Sequence, residues 1–580
     1  MRLNLMNWMK TPMLVAFVFC AAAATAAEGI YDSNTPPIPR TPIDKMVFAK
    51  LAQLNIHPVL CSDAVFVRRV YLDLLGILPT AQEAREFIQN SDTYNKRRIL
   101  IDQLLQRPEY ADYWAMRWSD ILRIKAEFPV NLWPNAAQAY HRWIKESLTA
   151  NKPYDQFVRE MLTSSGSNFR VGPVNFYRAA QSRTAEGLTA VVALTFMGSR
   201  IDKWPANQVA GMAAFFSQVG YKPTSEWKEE DVFWDPIGAS TVRINIAPGR
   251  AAIVSTNAPP PSILPTNAPP QVATFPDGKQ VKLPPNKDPR DVFADWLITP
   301  DNPWFSRTIV NRIWYWLLGR GIIHEPDDIR PDNPPVNPAL LAYLEKEFVN
   351  SRYNMKHIYR LVLNSQAYQL SSIPHTKHPE AAANFASYPL RRLDAEVLID
   401  AINSITGTTD LYTSPIPEPF TYIPENMPAV GIADGSISSP FLTMFGRTAR
   451  ATGMESERDN SPQPSQWRHL LNSSHIQRKI EQGTKLRTVF ESGRKPQEIL
   501  EQLYLTFLSR MPTPEELKTA EAYGNFVVVS QAIATKPDPK GKGKSKGTYV
   551  ARQAATQKQR EAWVDIAWSL VNSTEFLYRH

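Results

Sequence analysis

A mainly α fold follows from three features of this 580-residue sequence. Apolar residues recur at three- and four-residue intervals along most of the chain, helix-start and helix-stop residues bracket those stretches, and one helical unit is written twice. VYLDLLGILPTAQEAREF begins at Val70 and LYLTFLSRMPTPEELKTA at Leu503, 433 positions later, which aligns Tyr71 with Tyr504, Pro79 with Pro512, Thr80 with Thr513 and Glu83 with Glu516. Each copy predicts a buried helix, a proline stop and a second helix. Thr80 and Thr513 are the N-caps, and Glu83 and Glu516 at the third helical position complete capping boxes. Pro514 sits in the first turn, where its missing donor costs nothing.

The periodicity predicts helices over Ile43–Leu54, Ala64–Leu75, Ala81–Gln89, Tyr94–Leu105, Tyr110–Ile124, Ala136–Thr149, Tyr154–Thr163 and Thr184–Phe196. A recurring helix end appears in LLQRPEYADYW at Leu104, VLNSQAYQLSS at Leu361 to Ser372, LLNSSHIQRKI at Leu470 and LVNSTEFLYRH at Leu570. In the last three, an Asn closes one helix and the following Ser caps the next. After about Val232 the pattern changes: GASTVRINI alternates as a strand does, and ATFPDGKQVKL predicts a strand pair turning at Pro276, Asp277 and Gly278. TNAPP at Thr256 and again at Thr266 marks proline-rich linker.

Length predicts roughly three or four compact units. With 43% hydrophobic residues the chain has ample material for real cores. Arg2, Lys10, the apolar run Met13–Ala24 and the small residues Ala24, Ala26 and Ala27 form an export signal. That run is too short to span a membrane, so no transmembrane anchor is expected after cleavage. Bulky Phe19 disfavours acylation at Cys20, and the mature chain would keep Cys61 alone, without an internal disulfide. Of the formal charge of +8, two charges belong to the leader and four net charges to Lys536–Lys546, which leaves +2 for the body. That balance gives no reason to expect nucleic acid. The expected organisation is a signal peptide over 1–27 and a helical domain over 42–222. A small β element with Pro-rich linker follows over 232–286, then a second helical domain over 288–580 carrying a Lys/Gly-rich loop at 536–547.

RRVYLDLLGILPT, NKPYDQFVREML and GMAAFFSQV resemble the planctomycete cytochrome-c-associated domain of PSCyt type. DPRDVFADWLITPDNPWFSRTIVNRIWYWLLGRGIIHEPDDIRPDNPPVNPALLAYLEKEF, with YQLSS, RRLDAEVLIDAI and NSTEFLYRH, resembles its PSD-type partner. Both are domains of unknown function, and the resemblance implies an extracytoplasmic bacterial protein, periplasmic or secreted. Many relatives place Cys-x-x-Cys-His between FMGSRI and the GMAAFF helix, whereas Arg200, Ile201, Asp202, Lys203 and Trp204 cross here without thiol or imidazole. Relatives also carry two cysteines before a Glu-Arg pair, where this chain has Gly453, Met454, Glu455, Ser456, Glu457 and Arg458. Covalent haem needs two thiols and an iron ligand, so no haem or other cofactor is expected.

Three polar clusters remain for chemistry. EPDDIRPDNPP presents Glu325, Asp327, Asp328, Arg330 and Asp332 in a proline-stiffened loop, a possible set of oxygen ligands whose spacing matches no EF-hand; local capping and pairing is the competing role, and no metal is assigned. NRIWYWLLGRG supplies Asn311, Arg312, Trp314, Trp316 and Arg320, a guanidinium–aromatic platform for an anionic sugar, against which stands a core role at helical spacing. FGRTARATGMESERDN gives Arg447, Arg450, Glu455, Glu457 and Arg458, either a shaped polar pocket or structural salt bridges. Arg68, Arg69 and Asp73 are expected to form an i, i+4 pair, and His375 with His378 is a weak metal signal.

The catalytic candidates are therefore Asp327, Asp328, Glu455 and Glu457, and the substrate-binding candidates Arg312, Trp314, Arg320, Arg330, Arg447 and Arg458. No Ser-His-Asp order, phosphate loop or dinucleotide fingerprint is present. The reading favoured is an exported helical binding or assembly protein, with an anionic glycan or another exported protein as partner. Its rival is an enzyme on such polysaccharides, which proximity of the loops Asp327–Asp332 and Arg447–Arg458 would favour.

Overall fold

The computed structural model describes residues 29–237, 271–524 and 545–580. The leader, the strand from Gly238, the TNAPP repeats and the lysine-rich stretch up to 544 lie outside the described residues. Ser545–Gly547, expected to close that loop, instead open the helix Ser545–Val571.

Local chemistry sets the helix boundaries where expected. Ser62 caps the helix Asp63–Leu75 by accepting from Val65 N, and Gly76 ends it at φ 63°. Only a residue tolerant of the left-handed region suits that stop. Thr80 and Glu83 form both bonds of a capping box on the helix Ala81–Gln89. In the second copy the helix Pro496–Leu508 ends at Ser509, aligned with Gly76, at φ 58°. Thr513 Oγ1 then accepts from Glu516 N at 3.1 Å, and Glu516 Oε2 from Thr513 N at 2.8 Å. The copies meet: Ala81 and Ala84 pack on Leu505, and Arg85 pairs with Glu501 at 3.4 Å. At two of the three Asn–Ser ends the Ser caps the next helix as expected, Ser473 accepting from His475 N and Ser573 from Phe576 N, whereas Ser365 accepts from Tyr368 N in a turn that no helix follows.

Strands are few and short. Gly166–Ser167, Val219–Pro223 and Glu230–Trp234 form an antiparallel sheet with Glu230–Trp234 central. The hairpin Val219–Trp234 begins before the expected β region, because its first strand follows a helical stretch without a period change that marks it. Val272–Thr274 pairs with Gln280–Lys282 around the expected turn. Arg391–Arg392 pairs with Tyr578–Arg579, near the end of the sequence.

The apolar core runs through both halves of the chain. Trp316 packs between Trp114 and Trp118, at centroid separations of 5.1 and 5.7 Å, and Tyr359 lies 4.6 Å from Trp114. Edge-to-face and tilted contacts of this kind add to the burial of large rings. The expected pairing of Arg69 with Asp73 gives way to longer connections. Arg69 donates to the carbonyls of Tyr368, Leu370 and His580, and Arg68 to those of Phe507 and Phe576. Asp73 accepts from Tyr368 and Tyr388 hydroxyls at 2.8 Å each and from Arg579 at 3.0 Å. Buried carbonyls and hydroxyls need partners, and side chains of this first signature helix supply them across the molecule. Among the described residues no helix is long and apolar enough to cross a membrane.

Candidate functional site

Charged residues from five parts of the chain meet beside the tryptophan cluster. Arg117 and Asp120 come from the helix Pro108–Ile121, Arg312 and Trp316 from Phe305–Leu318, Asp394 and Glu396 from the start of Ala395–Thr406, and Arg579 from the terminal strand. The loop Arg447–Arg458 closes the group. A charge in such surroundings is tolerated only when paired, and nearly every one is.

Arg458 donates to Asp120 and Glu396 at 2.7 Å each, Arg450 to Asp120 at 2.9 Å, and Arg447 to Glu396 at 3.2 Å and to the Ile437 carbonyl. Arg579 joins Asp394, at 2.7 Å, to Asp73. Arg312 donates to Asp327 Oδ1 at 2.7 Å, while Asp327 Oδ2 accepts from Glu455 N at 2.7 Å. The loops Asp327–Asp332 and Arg447–Arg458, far apart in sequence, thus touch. Glu455 also accepts from Trp316 Nε1 through a short bond. Arg117 lies across two carboxylates, 3.2 Å from Glu455 and 3.8 Å from Asp394.

A cavity of ≈ 610 Å³ opens over this assembly, with Arg117, Arg391, Arg392, Arg458 and Arg579 facing Asp394, Glu455 and Asp459. Tyr113, Tyr315, Trp316 and Tyr578 form aromatic wall. Arg391 and Arg579 each keep a buried Nε–H without a protein acceptor. The environment drives the two carboxylates apart. Burial pushes Glu455 above the ordinary carboxylate range, with Arg117 opposing and nearby Asp327 adding to the rise. Asp394 is buried too, yet the guanidiniums of Arg579, Arg458 and Arg117 overcome burial and hold it well below that range. Glu396, buried but gripped by Arg458 and Arg447, falls to about 2.

Of the residues singled out from sequence, Trp316, Glu455 and Arg458 border the cavity. Asp327 lies behind it, committed to Arg312 and the Glu455 amide. Glu457 turns inward and caps its own loop, accepting from Ala451 N at 2.7 Å and Thr452 N at 2.9 Å. Asp328 pairs with Arg200 at 3.2 Å and with Arg330 at 3.0 Å, and Arg330 also reaches Asp332 at 3.4 Å. Arg312 and Trp314 are fully buried, Trp314 packing on Phe385, and the Arg447 side chain is 3% exposed, so these three do not reach a ligand in the cavity. Arg320 stands apart with an unpartnered Nε. His375 pairs with Asp32 at 3.1 Å, and His378 accepts from Glu380 N. Among the described residues no group of three or more His, Cys, Asp or Glu side chains is placed to hold a metal.

Arg117, Asp120, Asp394, Glu396 and Arg579 were not singled out. The signal was present: Arg117 and Asp120 stand about one turn apart in the tryptophan-rich stretch WAMRWSDI, and RRLDAEVL places two acids before an apolar run. At Arg200–Trp204, Ile201–Lys203 form a 3-10 turn and Trp204 Nε1 donates to Ser199. These residues do not fit covalently attached haem, and Cys61 is buried elsewhere with its Sγ beside Arg97.

No curated protein and no solved structure matches the chain. Residues 42–221 match PSCyt2 and residues 289–524 match PSD1, each described as a protein of unknown function. The helical unit around Arg117 and Asp120 therefore falls in one family and the loop carrying Glu455 and Arg458 in the other: the chain carries a PSCyt2 domain followed by a PSD1 domain, and the polar site is built from both.

Proposed function

We propose that this is an exported binding protein for anionic polysaccharide, which takes an acidic or sulfated sugar unit into the arginine-lined cavity. The observation that carries this reading is the excess of arginine in the lining of a cavity walled by aromatic rings, where Arg117, Arg391, Arg392, Arg458 and Arg579 outnumber Asp394, Glu455 and Asp459. A carboxylate or sulfate entering there meets that excess positive charge through charge-assisted hydrogen bonds. The volume suits a few sugar rings, in the range of ordinary ligand cavities. The leader sequence supports export.

A second reading, hydrolysis at the same site, is favoured by the contact between the two loops and by the opposed carboxylates. Glu455, whose proton is favoured by burial, would protonate the leaving glycosidic oxygen as the C–O bond breaks, water would add at the freed carbon, and Asp394 would stay ionised across Arg117. One experiment separates the readings. Exposed Ser461 lies at the cavity rim outside the ion-pair network, and Ser461→Asp sets a carboxylate among the arginines. Titration with sulfated and uronic oligosaccharides is expected to show binding by wild type and about tenfold or greater loss in Ser461→Asp. Equal affinity of both proteins would remove the cavity from the account. Release of shortened product that disappears in Glu455→Gln would establish the enzyme instead.

A further inference from the structure

A second assembly lies apart from the cavity, and none of its residues belongs to the polar clusters of the sequence. Three segments converge on it: the loop Lys125–Trp133, the tip Thr224–Glu229 of the hairpin Val219–Trp234, and the loop holding Phe420. Trp133 and Phe420 pack at 5.4 Å between centroids. The Lys228 ammonium stands 5.6 Å from the Trp133 ring and 5.4 Å from that of Trp227. Trp227 remains 68% exposed and Phe420 48%. Exposed indole of this extent, organised around a cation, is uncommon on a surface without a binding role.

The backbone is forced to present these side chains. Asn131, Trp133 and Lys228 have φ of 61°, 74° and 64°. Trp133, with ψ 149°, occupies a region that is essentially reserved for glycine. Strain of this kind persists only where the surroundings hold it, and here they do. Buried Arg178 donates to the Leu132 carbonyl at 3.1 Å and to Glu230 at 2.7 Å, which ties the loop to the hairpin. Asp434 and Ser436 grip Ala126 N and Glu127 N at 2.8 and 2.9 Å, and Asn168 accepts from Glu230 N at 2.8 Å. These bonds fix the backbone on either side of the rings, which lowers the entropy lost on binding.

Charge selects the occupant. Among the described residues Lys228 makes no ion pair, whereas Glu229 is taken by Ser167, Thr224 and Arg170. An ammonium without an ion pair beside tilted, packed rings matches one anionic group on one ring. A nucleic-acid strand needs a track of cations, and here Glu226 and Glu229 flank the lysine in sequence instead.

We propose that Trp227, Trp133 and Lys228 form a surface site for a single anionic sugar ring, stacked on Trp227 with its carboxylate or sulfate on Lys228. The proposal shares its ligand class with the cavity reading and uses none of the same residues. Affinity electrophoresis of the full chain in gels containing polygalacturonate, dextran sulfate or neutral dextran tests it. Trp227→Ala is expected to lose about fivefold or more of the retardation by the charged polymers, while Trp227→Phe keeps most of it. Lys228→Met is expected to lose the preference for charged over neutral polymer. Lys228→Gly relieves the left-handed backbone, so it should melt higher than wild type yet bind more weakly, a result that a purely structural role does not give. Wild-type retardation of both Trp227→Ala and Lys228→Met overturns the platform, even where Ser461→Asp shows that the cavity binds. Loss in Trp227→Ala with no change in Ser461→Asp supports the platform and removes the cavity. Tighter Trp227-dependent binding to oligo(dT) or to anionic phospholipid vesicles than to any glycan also overturns it.

Discussion

Glu455 and Asp394 share Arg117 yet shift in opposite directions, because burial prevails at Glu455 while Arg579 and Arg458 add to Arg117 at Asp394. Glu455 has its folded-state pKa raised, so the native protein holds that proton to higher pH than the unfolded chain does. Its contribution to stability is present at low pH and is lost as pH rises through and above the ordinary carboxylate range. Asp394 has its pKa lowered, so its contribution is present above the ordinary range and is lost as pH falls below it. Urea midpoints of Glu455→Gln and Asp394→Asn at about pH 4 and pH 7 should therefore move oppositely against wild type. Raising the pH improves the relative standing of Glu455→Gln and worsens that of Asp394→Asn. Parallel behaviour of the two variants would contradict this electrostatic picture. Glu455 was legible because it sits among polar residues in a loop, whereas Asp394 hides in a helix start where an acid is expected for capping alone. Its partners, Arg579 and Arg458, lie 185 and 64 residues away, a distance local patterning does not report.

At the scale of elements, the loop Asp327–Asp332 is seated by the end of the helix Ala185–Met197. Ile329 N donates to the Gly198 carbonyl at 2.8 Å, and Gly198 itself has φ +58°. A Cβ there would stand 2.8 Å from Ile329 Cδ1 and 2.9 Å from the Pro326 carbonyl oxygen. Gly198→Ala is thus expected to cost about 1–3 kcal/mol in chemical denaturation, through backbone strain and a displaced loop. Glycan binding in the cavity should fall with it, because Asp327 holds the Glu455 amide. Helices and caps were the legible part of this fold: Thr80, Glu83, Thr513 and Glu516 announce their bonds within four residues. The hairpin Val219–Trp234 was less so, since the residues before it continue a helical pattern and its tip, TSEWKE, has no glycine to mark the turn. The aromatic platform depends on that hairpin, and it too went unread.

The molecule as a whole is joined by ion pairs that run from Asp73 through Arg579 and Asp394 to Arg458, Asp120 and Arg450. With Trp316 set between Trp114 and Trp118, these pairs leave little for either family domain to stabilise alone. Arg579→Ala would remove the guanidinium that two buried carboxylates share, leaving Asp73 with Tyr368 and Tyr388 and Asp394 with Arg458 and Arg117, a change expected to lower stability by about 3 kcal/mol. Calorimetry should then show the described body still melting in one transition at lower temperature, whereas two separated transitions would mean independently stable halves. Mainly α architecture was visible throughout the sequence from period and capping. The joining of the halves was not, because it rests on which arginine finds which acid after collapse.

The bonds from Arg68 and Arg69 to the carbonyls of Phe576 and His580 span 508 and 511 residues. A ribosome delivers the first signature helix long before the backbone oxygens it must grip exist. Until that distant segment has emerged, Arg68 lacks its Phe576 acceptor and Arg69 its His580 acceptor, so the last bonds of this helix wait on residues made about five hundred positions later.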